Sequence, residues 1–188
     1  MSTLTKKQQL IDIAIQMFCE GGFHATGIDK ILKKSGISKK TMYAHFRSKD
    51  DLILAALDQY DKDFRENFIQ QVENSGDTAE ERLLGVFDVI HSWFSQDDFY
   101  GCVFIKAVGE FSDVNDVICE ASRRFKKTMR NYLYDLCVDA RAEDSETLAT
   151  ELALLINGAI VSSQFMKSSE PAITAKNVAR KLIAAALK

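Results

Sequence analysis

Between residues 38 and 49 stand side chains of the types that bind a polyanion: Ser38, Lys39, Lys40, Thr41, Tyr43, His45 and Lys49. Lysine ammonium groups neutralise phosphates and release condensed counterions. Hydroxyls of Thr41 and Tyr43 hydrogen-bond phosphate oxygens, and their apolar parts meet thymine methyl groups in a major groove. Ile37, Met42 and Phe46 fall between them, Met42 and Phe46 at i,i+4, so the opposite side of the same short helix turns toward a core. Upstream, Thr26 and Gly27 stand where a preceding helix begins, and backbone amides at helix starts at Gly27 and Ser38 are ready phosphate donors. Each residue taken singly has another use: Tyr43 packs between helices, or His45 is a hydrogen-bonded spacer. Core packing alone does not account for the joint spacing.

Other chemistries have less to stand on. Cys19, Cys102, Cys119 and Cys137 lie far apart, without the paired short spacing of a zinc ribbon or redox dithiol; three of them sit beside apolar neighbours and read as small buried hydrophobes in a reducing compartment, with Cys102 the exception. His24, His45 and His91 show no metal-ligand spacing, so no metal is expected. No Gly-rich phosphate loop, Glu-x-x-His pair or nucleophile elbow occurs, so neither a cofactor nor an enzymatic activity is expected.

Composition and charge narrow the class further. The 188 residues are 46% hydrophobic and 27% charged, the balance of a globular chain long enough to bury a core. The net charge of −3 conceals an asymmetry. Residues 1–50 carry nine Lys/Arg against four Asp/Glu, whereas residues 51–188 carry 15 against 23. A basic end joined to an acidic remainder points to nucleic acid at that end, although a lysine-rich solvated face has the same signature. No apolar run approaches the roughly 18 residues that span a bilayer, and the start has no signal-peptide pattern. A soluble, cytoplasmic protein without a membrane partner is expected.

The elements that must position the basic residues are helical. Pro171 is the only proline, and apolar residues recur at helical rather than alternating spacing, which predicts an all-α chain. A first helix places Leu10, Ile11, Ala14, Met17 and Phe18 on one face and stops at Gly21-Gly22. Thr26-Gly27-Ile28-Asp29 has capping-box spacing and opens a short helix through Ile31 and Leu32. Gly36 supplies a turn, and Ser38 caps a third helix from Lys39 to about His45. Ser48-Lys49-Asp50-Asp51 opens a long fourth helix, about 48–73, with Leu52, Ala56, Tyr60, Phe64, Phe68 and Val72 at spacing four. Larger helices follow at about 78–95, 102–112, 115–140, 145–166 and 171–187.

Two short helices joined by a glycine turn, between a packing helix and a long one, form a helix-turn-helix arrangement. The run Phe18-Cys19-Glu20-Gly21-Gly22-Phe23, then Thr26-Gly27-Ile28-Asp29-Lys30-Ile31, then residues 35–46, then Ser48-Lys49-Asp50-Asp51-Leu52 resembles the DNA-binding domain of TetR/AcrR-type transcriptional repressors. The resemblance covers about residues 5–55, with Tyr43, His45, Phe46 and Lys49 its most specific part. Family members commonly have threonine, valine or alanine at Ile28, a departure that concerns packing. The resemblance implies a homodimer on a palindromic double-stranded DNA operator, with Thr26, Gly27, Thr41, Tyr43, His45 and Lys49 at positions that meet DNA; Lys39 and Lys40 stand where the family varies.

The resemblance divides the chain into a DNA-binding domain, residues 1–50, and a larger helical effector-binding and dimerisation domain, residues 51–188. Beyond residue 55 it is architectural and implies dimerisation through the last two long helices. Leu148, Leu152, Leu155, Ile156, Ala159 and Ile160, with small neighbours Ala149, Ala153 and Gly158, form one apolar stripe, and Val178, Leu182, Ile183 and Ala186 another. Both also fit the chain's own core. An apolar or aromatic small-molecule effector is expected among Phe64, Phe68, Phe87, His91, Phe94, Phe104 and Phe111, with His91, Glu110 or Asn157 to orient it, although most such rings are ordinary core. Gly101-Cys102-Val103-Phe104-Ile105 resembles a stretch in a subset of the family. Cys102 at a helix start would favour thiolate, which raises redox or electrophile sensing as an alternative. A helical adaptor that binds only protein is the other.

Overall fold

The structure is a computed structural model, and residues 5–111, 113 and 116–187 are described. The expectation that the start carries no signal peptide rests partly on residues 1–4, which lie outside the described residues. Among the described residues there are nine α-helices and no strand. By contact density the chain divides into two units, Met1–Asp63 with Cys102–Phe125, and Phe64–Gly101 with Lys126–Lys188.

The first unit begins with α1 (Lys6–Gly21), whose N-cap Thr5 accepts from the amide of Gln8 and whose buried face is Leu10, Ile11, Ala14 and Phe18. Helix α2 (Ile28–Ser35) ends at Gly36 in the left-handed region, φ 68°. Helix α3 (Lys39–His45) is capped by Ser38, whose hydroxyl accepts from the amide of Thr41 at 3.2 Å. Both α2 and α3 pack on α1. Helix α4 (Lys49–Glu73) opens with the amide of Asp51 on Ser48 Oγ at 3.0 Å. Later in the chain, α6 (Val103–Glu110) and the start of α7 (Val117–Asp139) complete the unit. There Phe104 stacks on Phe125 with ring centroids 3.9 Å apart and meets Tyr60 edge-on.

One expected cap is displaced. The capping box anticipated at Thr26 and Asp29 does not form: Gly27 is the N-cap of α2, without a side-chain cap bond. The Thr26 hydroxyl instead donates to the carbonyl of Met17 at 3.2 Å, because its side chain turns in against α1.

In the second unit, α5 (Ala79–Phe94), α8 (Ser145–Met166) and α9 (Glu170–Ala186) pack together. Helix α5 carries a complete capping box: the Glu81 amide donates to Thr78 Oγ1 and the Thr78 amide to Glu81 Oε2. Hydrogen bonds from the Thr78 amide and hydroxyl and the Asp77 amide hold the Glu81 carboxyl below the ordinary range. The box therefore persists at neutral pH and is lost only as pH falls through that lowered value. Thr78→Ala is expected to lower stability by about 1 kcal/mol, read from the midpoint of urea unfolding. Gly85 lets the chain at Ser75 approach α5 closely, since a Cβ there would collide with the Ser75 hydroxyl. Side chains of α7 tie down α8, with Arg130 on Glu146 and Thr150, and Lys176 of α9 pairs with Asp88 of α5 at 2.6 Å.

Helix α8 is more apolar than a count of uninterrupted hydrophobic residues suggests. It is long and apolar enough to cross a membrane, with an 18-residue window of mean hydropathy 1.3, of which 33% is buried within the chain. Scattered Thr, Glu, Asn and Ser residues break up its apolar runs, and that hid this property from the sequence reading. Leu148, Ala149, Leu152, Ala159 and Ile160 turn inward, as does Ile183 of α9. The exposed apolar line of α8 is instead Leu154 (72% exposed), Val161 and Phe165 (90% exposed), at i, i+7 and i+11.

Candidate nucleic-acid interface

Helix α3 is amphipathic. Met42, Phe46 and the preceding Ile37 are buried, and Phe46 also lies under the ammonium of Lys7 at 5.9 Å. The other face is left to solvent: Ser38, Lys39, Lys40, Tyr43 and His45 are exposed, with Thr41 half-buried. Tyr43 is 45% exposed although its neighbour Met42 is fully enclosed. Among the described residues its hydroxyl has no hydrogen-bond partner, so a ring and a hydroxyl are both presented outward.

The remaining candidates differ in their surroundings. The hydroxyls of Ser38 and Thr41 are 2.9 Å apart and serve the cap as well as the surface. Lys39 reaches Asp29 at 3.4 Å, a solvent-exposed pair that a phosphate would displace readily. Lys49 is half-buried and its ammonium donates to the carbonyl of Phe23 at 2.6 Å, so it ties α4 to the α1–α2 turn. Gly27 sits at the start of α2, where the first amides of the helix have no intrahelical acceptor. Thr26 is a different case. It is only 3% exposed, and its hydroxyl is bonded to α1, so it sets the entry to α2 instead of offering a surface group. Arg47, exposed just beyond α3, belongs beside the candidates, and helical spacing carries no signal for it because it lies outside the helix.

Removing one exposed charge from this face tests the electrostatic part. Lys40→Gln is expected to reduce the slope of log affinity against log salt by about 1, without changing sequence preference.

The aromatic residues expected around an effector are distributed over separate clusters. In the second unit Phe64 stacks on Phe68 (5.7 Å) and meets Trp93 edge-on (5.1 Å), while Phe94 and Trp93 both pack on Phe99. Phe87 is buried within α5, and His91 is half-buried near its end. In the first unit Phe104 belongs to the Tyr60 and Phe125 group, and Phe111 packs on Phe23 and His24. Two polar groups expected to orient an effector have partners in the chain. Asn157 Oδ1 accepts from Lys126 at 2.7 Å, and Glu110 accepts from the amides of Phe23 and His24. A cleft of about 520 Å³ in the second unit is polar, lined by Glu73, Asp77, Glu81, Arg82 and Lys176 among others, and by none of the expected rings.

Cys102 is 5% exposed at the N-cap of α6 and makes no side-chain cap bond. Among the described residues no group of His, Cys, Asp and Glu is arranged to hold a metal ion.

Two family models match the chain. One, described as bacterial regulatory proteins, tetR family, matches residues 10–56; the other, described as tetracyclin repressor-like, C-terminal domain, matches residues 79–179. Among curated proteins, the chain is similar to the fatty acid metabolism regulator protein of Bacillus subtilis (strain 168). The two are 30% identical over 92 residues, 49% of this chain and 47% of that protein. The chain is also similar to the HTH-type transcriptional repressor ComR of Escherichia coli (strain K12), 28% identical over 162 residues, 82% of this chain and 77% of ComR. It spans half the length or less of several curated relatives that it matches. A solved TetR-family transcriptional regulator from Streptomyces coelicolor has a TM-score of 0.90 at 24% identity, over 97% of this chain and 96% of that one. Reduced NemR of Escherichia coli has a TM-score of 0.85 at 21% identity, over 94% and 95%. At such identities the likeness is one of fold.

Proposed function

The chain belongs to the tetR family of bacterial regulatory proteins, and from that premise we propose that it is a homodimeric transcriptional repressor, released from a palindromic operator by a small apolar or aromatic effector. The observation that carries this reading is the face of α3, where Lys39, Lys40, Tyr43 and His45 are exposed to solvent above a buried Met42 and Phe46. Two such helices, one from each protomer, enter successive major grooves about 34 Å apart. Ser38, Lys39, Lys40 and Lys49 engage phosphates, whereas Thr41, Tyr43 and His45 contact phosphates and base edges. The amides at Gly27 add a phosphate contact.

The last two long helices form the dimer interface in this reading. The exposed line of Leu154, Val161 and Phe165 on α8, with Ile173 and Val178 exposed on α9, supports it, since a lone soluble chain rarely leaves so much apolar surface bare. Gly158, exposed on the same helix, lets a second helix come close. The protein acts in the cytoplasm, where its DNA is, and carries out binding and not catalysis.

Effector binding acts through α4, whose 25 residues span about 37 Å and contribute to both units. A tilt of this helix changes the separation of the two reading helices and lowers operator affinity. An effector that leaves both unchanged contradicts that mechanism.

The deciding experiment is a mobility-shift titration of the purified chain on the region upstream of its own gene, and on genomic fragments, across a salt series. Selective binding that weakens steeply with salt supports the reading. Failure to select any fragment at moderate salt overturns it.

A further inference from the structure

The α1–α2 turn is held by side chains from far along the sequence. After α1 the backbone passes through Gly22 at φ 80°, a conformation that favours glycine, and the amides of Phe23 and His24 follow the closing backbone bond of α1, from the Gly22 amide to the Phe18 carbonyl. Glu110, the last residue of α6, receives both: Phe23 N–H donates to Oε1 at 2.9 Å and His24 N–H to Oε2 at 2.6 Å. The His24 ring adds Nδ1 at 3.0 Å from Oε2. One turn earlier on the same face of α6, Lys106 donates through its ammonium to the carbonyl of Cys19 in the last turn of α1. Lys49 completes the set from α4 with its bond to the Phe23 carbonyl. Phe111 covers the site, 5.7 Å from the Phe23 ring and 4.9 Å from that of His24.

The arrangement is closely fitted. A Cβ on Gly22 would collide with the Glu110 carboxylate, so the glycine serves both the turn and the approach of that group. Burial pushes the Glu110 carboxyl up, but the amides of His24 and Phe23 and the His24 ring outweigh it, and the group lies below the ordinary carboxylate range. Charge-assisted bonds to two adjacent amides are directional, so they set the path of the turn as well as its stability. That path sets where α2 starts, and α2 with α3 forms the reading head.

We infer that Glu110 and Lys106 are positioning residues for DNA recognition: α6 grips the α1–α2 turn through a carboxylate on its amides and an ammonium on its carbonyl, and so aims α3. The inference rests on the reading of α3 as the DNA-contacting helix. Neither residue touches DNA. Their removal acts on specific recognition, which depends on exact placement of α3, and spares nonspecific phosphate attraction, which depends only on charge.

The test uses the full-length chain, a duplex selected from a random-sequence pool by the wild-type protein, and an unrelated duplex as control. Glu110→Gln is expected to weaken binding to the selected duplex by about tenfold, the order of one charge-assisted hydrogen bond. Binding to the unrelated duplex should change less than twofold. Amide hydrogen exchange at Phe23 and His24 should accelerate at least about tenfold, while that of Ala14 in the middle of α1 stays unchanged. Lys106→Met should shift binding in the same direction, and it carries the comparison if Glu110→Gln fails to fold. Equal losses on both duplexes, or selected-duplex binding within twofold of wild type despite faster exchange at Phe23 and His24, overturn the inference and leave a purely structural contact. A wild-type chain that selects no duplex at all overturns the reading of α3, and the inference with it.

Discussion

Tyr43→Ala is expected to reduce affinity for the operator by about 10- to 100-fold, the range for losing one base-edge or comparable direct contact, while leaving the unfolding midpoint nearly unchanged. The two halves of that expectation come from the same geometry. Tyr43 is 45% exposed, and among the described residues its hydroxyl has no partner in the chain, so truncation removes little from the core. Its neighbours Met42 and Phe46 are buried and fix the helix that carries it. A ring held on a packed helix reaches DNA at low entropic cost, which makes its loss expensive for binding. Mobility shift on the selected duplex and thermal unfolding of the same preparation check both halves. A variant that binds as wild type does would show that the exposed face of α3 is not the reading surface.

Leu154→Glu is expected to have the larger effect, converting the protein to a monomer and lowering operator affinity by at least about a hundredfold. Leu154 is 72% exposed in the single chain, so the substitution harms the protomer little. In a dimer through α8 and α9 the same position is enclosed. There the exchange forfeits roughly 1.5–3 kcal/mol of apolar burial and places an unpaired carboxylate in the interface. A monomer meets only one half-site, and the gain from linking two reading helices disappears. Sedimentation gives the oligomeric state, and Phe165→Glu, at a position still more exposed, gives an independent check. Persistence of a dimer in both variants would place the interface on another face.

Much of the local structure was legible because it is local. Ser38 and Ser48 cap the helices that their spacing announced, and Gly36 takes the left-handed conformation that a helix C-cap favours. Helical periodicity picked out Leu10, Ala14 and Phe18 as the inner face of α1, and Met42 and Phe46 as that of α3, all of them buried. The misses share one cause, competition between partners that spacing alone does not rank. Thr26 had both a cap and a surface role open to it, and it took a bond to Met17 instead. Helix α8 is apolar on more than one side, so its period could not say which side meets its own unit. The structure turned Leu152 and Ile160 inward and left Leu154 and Phe165 outside.

The sequence by itself determined the helical class, the order of the elements and the residues that α3 presents, because caps, turns and amphipathic spacing act over a few residues. Only the tertiary structure decided which side chains hold the turn between α1 and α2. Glu110 lies 87 residues from the amide of Phe23, and Lys106 lies 87 from the carbonyl of Cys19. No local pattern encodes such a bond: a glutamate and a lysine four apart on a helix read as a solvated pair until folding brings unsatisfied backbone groups within their reach.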